Sequence, residues 1–226
     1  MKRHIEIMDT TLRDGEQTSG VSFSASEKLT IAQLLLTELK VDRIEIASAR
    51  VSDGEFQAVK KITEWAAIHG YLNKVEVLTF VDGGTSVDWM ISSGAKVMNL
   101  LTKGSLNHLK HQLKKSPEQH FSEIAESIHL AVSKGLEVNV YLEDWSNGMR
   151  NSKEYVIEYL DFIQHLPIKR ILLPDTLGVL IPSEVAAFIS ELVQRYPKIH
   201  FDFHAHNDYD LGTANALEAV RNGVHG

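Results

Sequence analysis

Seven short runs of β-forming residues alternate along this chain with longer segments of helical period. The runs are Ile5-Glu6-Ile7-Met8, Arg43-Ile44-Glu45-Ile46, Val75-Glu76-Val77-Leu78, Val97-Met98-Asn99-Leu100, Val138-Asn139-Val140-Tyr141, Ile171-Leu172-Leu173 and Phe201-Asp202-Phe203. Between them apolar residues recur three and four apart, as in Leu29, Ala32, Leu36, Leu39 and in Ile124, Ile128, Ala131, which lines up one stripe on a helix. Strand then helix, repeated seven times, requires parallel strands joined by right-handed crossovers. A parallel sheet of this unit length closes as eight, so the expected fold class is α/β, a (β/α)8 TIM barrel. The eighth strand is expected to begin near Gly223-Val224-His225-Gly226, so this chain is expected to be one catalytic domain, 1–226, truncated before that strand and the later subdomains. A doubly wound sheet is the alternative, but no Gly-x-Gly-x-x-Gly follows the first strand.

The helix starts carry their own signals. Ser24 and Glu27 have capping-box spacing, Ser116-Pro117-Glu118 sets an N-cap before a first-turn proline, and Pro182 opens another helix. The final helix is expected near Leu211 to Arg221.

Composition narrows the chemistry. Thirty acidic against 23 basic residues give a net charge of -7, with no Lys/Arg run to mark a nucleic-acid or anionic-membrane surface. Soluble small-molecule chemistry fits that balance. The chain has no cysteine, so a metal site must draw on His and carboxylate ligands. No stretch approaches the roughly 20 apolar residues of a membrane span, and the N-terminus has no apolar signal core, so a cytoplasmic location is expected.

In such a barrel the chemistry lies at the C-terminal ends of the strands. The polar residues there are Asp9 to Gln17 after the first run, Glu143-Asp144 after the fifth, Asp175-Thr176 after the sixth and His204-Ala205-His206-Asn207-Asp208 after the seventh. His204 and His206, two apart on an extended segment, point to one face and can grip one cation. Asp14 is expected to complete that set, because in a closed barrel only the eighth strand separates the first from the seventh. Two His and one Asp suit Mn²⁺, Zn²⁺, Co²⁺ or Fe²⁺, with Mg²⁺ possible where substrate oxygens fill the other positions. Without a cation, the His pair reads as solvated or internally satisfied.

Asp9-Thr10-Thr11-Leu12-Arg13-Asp14-Gly15-Glu16-Gln17 together with His204-Ala205-His206-Asn207-Asp208 resembles the DRE-TIM metallolyase family, which includes the 2-isopropylmalate, homocitrate and citramalate synthases. The resemblance covers essentially the whole chain, and residues 41–52, 99–105 and 140–151 look most like (R)-citramalate synthase. It implies a divalent metal on Asp14, His204 and His206, acetyl-CoA as co-substrate, and a 2-keto acid as acceptor. It further implies that Arg13 stabilises the charge developing on the keto oxygen, that Thr176 donates to the substrate carboxylate, and that Glu143 does acid/base and positioning work at the acetyl group. Leu78, Leu101 and Tyr141 fall where the family lines the acceptor's side chain, and they would leave a small apolar pocket that suits the methyl group of pyruvate. A homodimer is also implied.

Two departures stand out. Ser19 replaces a proline common in relatives, and the glycine-rich segment that follows the family's eighth strand is absent. Other readings are 2-isopropylmalate synthase acting on 2-ketoisovalerate, homocitrate synthase, a carbon–carbon lyase on the same barrel, metal-dependent hydrolysis, and a non-catalytic barrel that has lost its chemistry. The first two synthase products would belong to branched-chain amino-acid biosynthesis, citramalate to isoleucine and isopropylmalate to leucine.

Overall fold

A computed structural model describes residues 4–226 as two compact units, one made of Glu6–Leu100 and His129–Val138, the other chiefly of Leu101–Ile128 and Asn139–Gly226. The first unit carries β1 (Met8–Asp9), α1 (Ala25–Leu34), β2 (Arg43–Ser48), α2 (Asp53–His69), β3 (Val75–Phe80), α3 (Thr85–Ser93) and the start of β4 (Val97–Lys103). Here β1 pairs with β2 and β2 with β3, all parallel. The second unit carries α4 (Leu106–His108), most of α5 (Pro117–Ser133), β5 (Glu137–Glu143), α6 (Trp145–Asn151), α7 (Lys153–Ile163), β6 (Ile171–Asp175), α8 (Pro182–Arg195), β7 (Phe201–Ala205) and α9 (Gly212–Arg221). Its strands β5, β6 and β7 are again parallel to their sequence neighbours. Parallel pairing in sequence order, without a switch point, makes the fold class that of a (β/α)8 barrel, with seven strands among the described residues.

One face of the strands is apolar, as strands covered by crossover helices require, while the alternate positions carry buried polar groups such as Arg43, Glu45, Glu76, Asn99, Asn139 and Asp202. Ile44, Ile46, Val75, Val77, Val138, Val140, Ile171 and Leu173 are all buried. Six of the expected runs hold and extend toward their C-terminal ends. The first is observed only as Met8–Asp9, so that Met8 alone of the expected Ile5 to Met8 lies in the ladder, while Asp42 Oδ2 accepts the Ile7 N–H at 2.8 Å, a donor that a ladder would otherwise use. At the other end, His225 N–H donates to Phe201 O at 2.7 Å and Phe203 N–H to Gly226 O at 3.0 Å, along the edge where the eighth strand was expected.

The helix starts fold as their sequences demand. Ser24 Oγ accepts from Glu27 N–H at 3.3 Å while Glu27 Oε2 accepts from Ser24 N–H at 2.7 Å, a complete capping box. Ser116 caps α5 through the same reciprocal bonds, with Gln119 as its partner. The stripe expected on α1 fails at its last member. Leu39 is 68% exposed because Leu35–Leu39 forms a π-turn, whose extra residue rotates the side chains out of phase.

Candidate active site

In the first unit, the segment after β1 folds back tightly. Arg13, Asp14 and Gly15 all direct their N–H groups at Thr10 O, at 3.1, 2.8 and 3.1 Å, and Asp9 Oδ1 accepts Thr11 N–H at 2.9 Å. Arg13 is thereby turned toward β2, where its Nε donates to Glu45 Oε2 at 2.5 Å, and its Nη1 donates to Asp14 Oδ1 at 3.0 Å. Glu45 is wholly buried, and its other oxygen accepts Asn99 Nδ2 at 2.7 Å. A buried carboxylate bonded on both oxygens fixes the guanidinium plane, since charge-assisted hydrogen bonds of this kind are directional as well as strong.

Beneath the same segment lies Lys28, 1% exposed. Its Nζ pairs with Glu16, with Glu55 Oε1 at 2.6 Å and with Leu12 O at 3.2 Å. The ammonium thus ties the loop that presents Arg13 and Asp14 to α1 and α2.

In the second unit, His204 on β7 and His206 just beyond it have rings 5.0 Å apart at 7°, so both imidazoles address one side of the chain as period-two geometry requires. The Tyr141 ring stands edge-on to His204, with centroids 6.2 Å apart, and is 2% exposed. Glu143 ends β5 and pairs with Lys103, which ends β4. The next residue, Asp144, turns the chain in the left-handed region at φ 64°, and its N–H donates to Thr176 Oγ1 at 2.9 Å. The Asp144 carboxylate is buried and accepts from Ser105 Oγ at 2.6 Å and Asn147 Nδ2 at 2.8 Å. Asp175 uses Oδ2 to accept Leu180 N–H at 2.9 Å, which shapes the loop after β6.

The structure therefore joins Arg13 to Asp14 in one unit, and His204 to His206 and Tyr141 in the other, with Thr176 held one residue away from Glu143. Leu78 is buried on β3, while Leu101 on β4 is half-buried. Three residues that hold these groups in place went unnoticed in the sequence: Glu45, Lys28 and Lys103. Glu45 carries a readable signal, an acid within an apolar strand, because such a group is buried only with partners. Lys28 and Lys103 carry none, since lysine is ordinary on a helix or past a strand end.

Asp14, His204 and His206 are each half-buried, and each offers one carboxylate oxygen or imidazole nitrogen, a donor set whose chemistry fits a divalent cation of intermediate softness. The HMGL-like family matches the chain over residues 4–226. The 2-isopropylmalate synthase of Sulfurisphaera tokodaii is 34% identical over 223 residues, 98% of this chain and 55% of its own length. A Methanopyrus kandleri protein provisionally named (R)-citramalate synthase is 33% identical over 221 residues, 97% of this chain and 42% of its own. The chain thus spans about half the length of the curated relatives it matches. In fold it is similar to hydroxymethylglutaryl-CoA lyase from Pseudomonas aeruginosa, with a TM-score of 0.75 at 16% identity, over 100% of this chain and 75% of that one. Among the described residues no helix is long and apolar enough to cross a membrane.

Proposed function

Because the chain belongs to the HMGL-like family, we propose that it is the catalytic barrel of an acyltransferase that condenses acetyl-CoA with a 2-keto acid, with pyruvate giving (R)-citramalate and CoA. The reading places the protein in the cytoplasm, as a homodimer, in branched-chain amino-acid biosynthesis. Asp14, His204 and His206 hold the divalent metal, which supplies Lewis acidity at the keto carbonyl when bound.

The remaining roles belong to the chain itself. Arg13, oriented by Glu45, faces the oxygen on which charge develops as the acetyl carbon attacks, and a pre-oriented cation there needs no reorganisation during reaction. Thr176 accepts the Asp144 N–H on Oγ1, so its hydroxyl proton is directed elsewhere and is donated to the substrate carboxylate. Glu143 removes the acetyl proton or positions the methyl group. The observation that supports the choice of pyruvate is Tyr141, a buried ring edge-on to His204 that takes up space beside a proposed metal ligand and so favours a small acceptor side chain. The 34% identity to a 2-isopropylmalate synthase favours a second reading with 2-ketoisovalerate as acceptor.

CoA release by the full-length protein with Mn²⁺ or Mg²⁺, comparing pyruvate, 2-ketoisovalerate and 2-ketoglutarate, separates the two. Preference for pyruvate supports the small pocket, preference for 2-ketoisovalerate replaces it, and no release with any acceptor removes the synthase reading.

A further inference from the structure

Lys103 and Glu143 are the last residues of neighbouring elements β4 and β5, and their side chains form an ion pair that is only partly open to solvent, at 12% and 23% exposure. The backbone of Lys103 is gripped on both sides. Its N–H donates to His120 Nε2 at 3.2 Å, and its carbonyl accepts the Tyr155 hydroxyl at 2.8 Å. Burial pushes His120 down to about 4, so the ring is neutral and Nε2 presents a lone pair; that bond assigns the proton to Nδ1. Burial raises the Tyr155 phenol, which stays a donor.

The following residue brings the two elements closer still. Gly104 N–H donates to Glu143 O at 2.6 Å, a Cβ on Gly104 would lie 2.6 Å from Leu142 O, and one on Gly148 would lie 2.0 Å from Gly104 O. Only glycine allows backbones to approach this closely. Partly exposed ion pairs add little to stability, about 0–1 kcal/mol, so fold stability alone gives little reason to hold this lysine with two buried side chains and two close-packed glycines.

We propose that Lys103 is a positioning residue for Glu143: its ammonium, set in place by the clamp on its backbone, holds the carboxylate at the end of β5 in the orientation that acts on the acetyl group. The inference rests on the reading of Glu143 given above. Its sequence neighbourhood does not announce it, because the clamp comes from α5 and α7, remote in sequence.

The test compares Lys103→Met and Lys103→Arg in the full-length protein. The Met variant is expected to lose about 10- to 100-fold in kcat, part of what a positioned acid/base group contributes, with metal affinity and the keto-acid KM within about twofold of wild type. Arg, which keeps the charge, is expected to recover most of the loss. Native kcat in the Met variant, or a loss that Arg does not recover, overturns the proposal. In parallel, lysines are reductively methylated with ¹³C, and the Lys103 signal, assigned by its disappearance in Lys103→Arg, is followed after Glu143→Gln. A shift supports the pairing and a fixed signal overturns it. Should wild type release no CoA with any keto acid, the functional reading fails by itself while this second arm still decides the pairing.

Discussion

The Arg13 guanidinium rests on the wholly buried Glu45 carboxylate at 2.5 Å, so the residue proposed to face the developing oxyanion is aimed by a strand of the core as well as by its loop neighbour Asp14. Glu45→Gln keeps the shape and removes the charge. The expected result is a fall in kcat of about 100-fold, the range for a lost oxyanion contact, together with a loss of about 1.5–3 kcal/mol of stability from the weakened charge-assisted hydrogen bond, Arg13 keeping its pairing with Asp14. Steady-state kinetics and urea unfolding of the full-length variant read both quantities. A variant with native kcat would place Glu45 among purely structural residues.

His204 and His206 present stacked rings from one side of β7. Alanine at either position removes a direct ligand in the proposed site. Outer partners of metal ligands are worth about 10- to 100-fold in affinity, so a ligand itself is expected to be worth more than about 100-fold. Calorimetric titration with Mn²⁺ measures this, and unchanged affinity in either variant takes that histidine out of the set.

The alternation of strand and helix was legible because period-two and period-3.6 patterns follow directly from backbone geometry, and the caps at Ser24, Ser116 and Pro182 follow from the unsatisfied amides of a helix start. The His204–His206 pair was legible for the same reason. What stayed hidden depends on partners distant in the chain. Lys28 looks like a surface lysine on α1, yet it is buried because Glu16 and Glu55 neutralise it. Leu39 reads as core, yet a π-turn rotates it outward. The first strand reads as four residues, yet the Asp42 carboxylate takes one of its amides. Pattern carries local geometry, whereas these cases were decided by tertiary ion pairs and hydrogen bonds.

Gly148 sits in α6 with no room for a methyl group, because an added Cβ would lie 2.0 Å from Gly104 O and 2.9 Å from Val156 Cγ2. Gly148→Ala would ordinarily gain helix propensity, about 1 kcal/mol. Here the backbone carbonyl cannot move without disturbing the Gly104–Glu143 bond, so a net loss of about 2 kcal/mol or more is expected, as for overpacked cores. Thermal unfolding gives the sign directly, and stabilisation would mean that the two segments separate at little cost.

His120 supplies the pH dependence. Burial holds its folded value at about 4, below the 6.5 of a free imidazole, so between those values the unfolded chain binds the proton that the folded chain refuses. Stability from this residue is therefore complete above about pH 6.5 and falls as the pH drops toward 4. At about 1.4 kcal/mol per unit, the span amounts to roughly 3 kcal/mol. Carboxylates titrate in the same range, so the quantity to read is the difference between wild type and His120→Gln, whose amide oxygen can still accept the Lys103 N–H. Urea unfolding at pH 7 and pH 4.5 should show the gap between the two proteins shifting in favour of the glutamine variant at the lower pH. A gap independent of pH would mean that His120 is protonated as readily when folded as when unfolded, so that burial in the clamp does not disfavour its charged form.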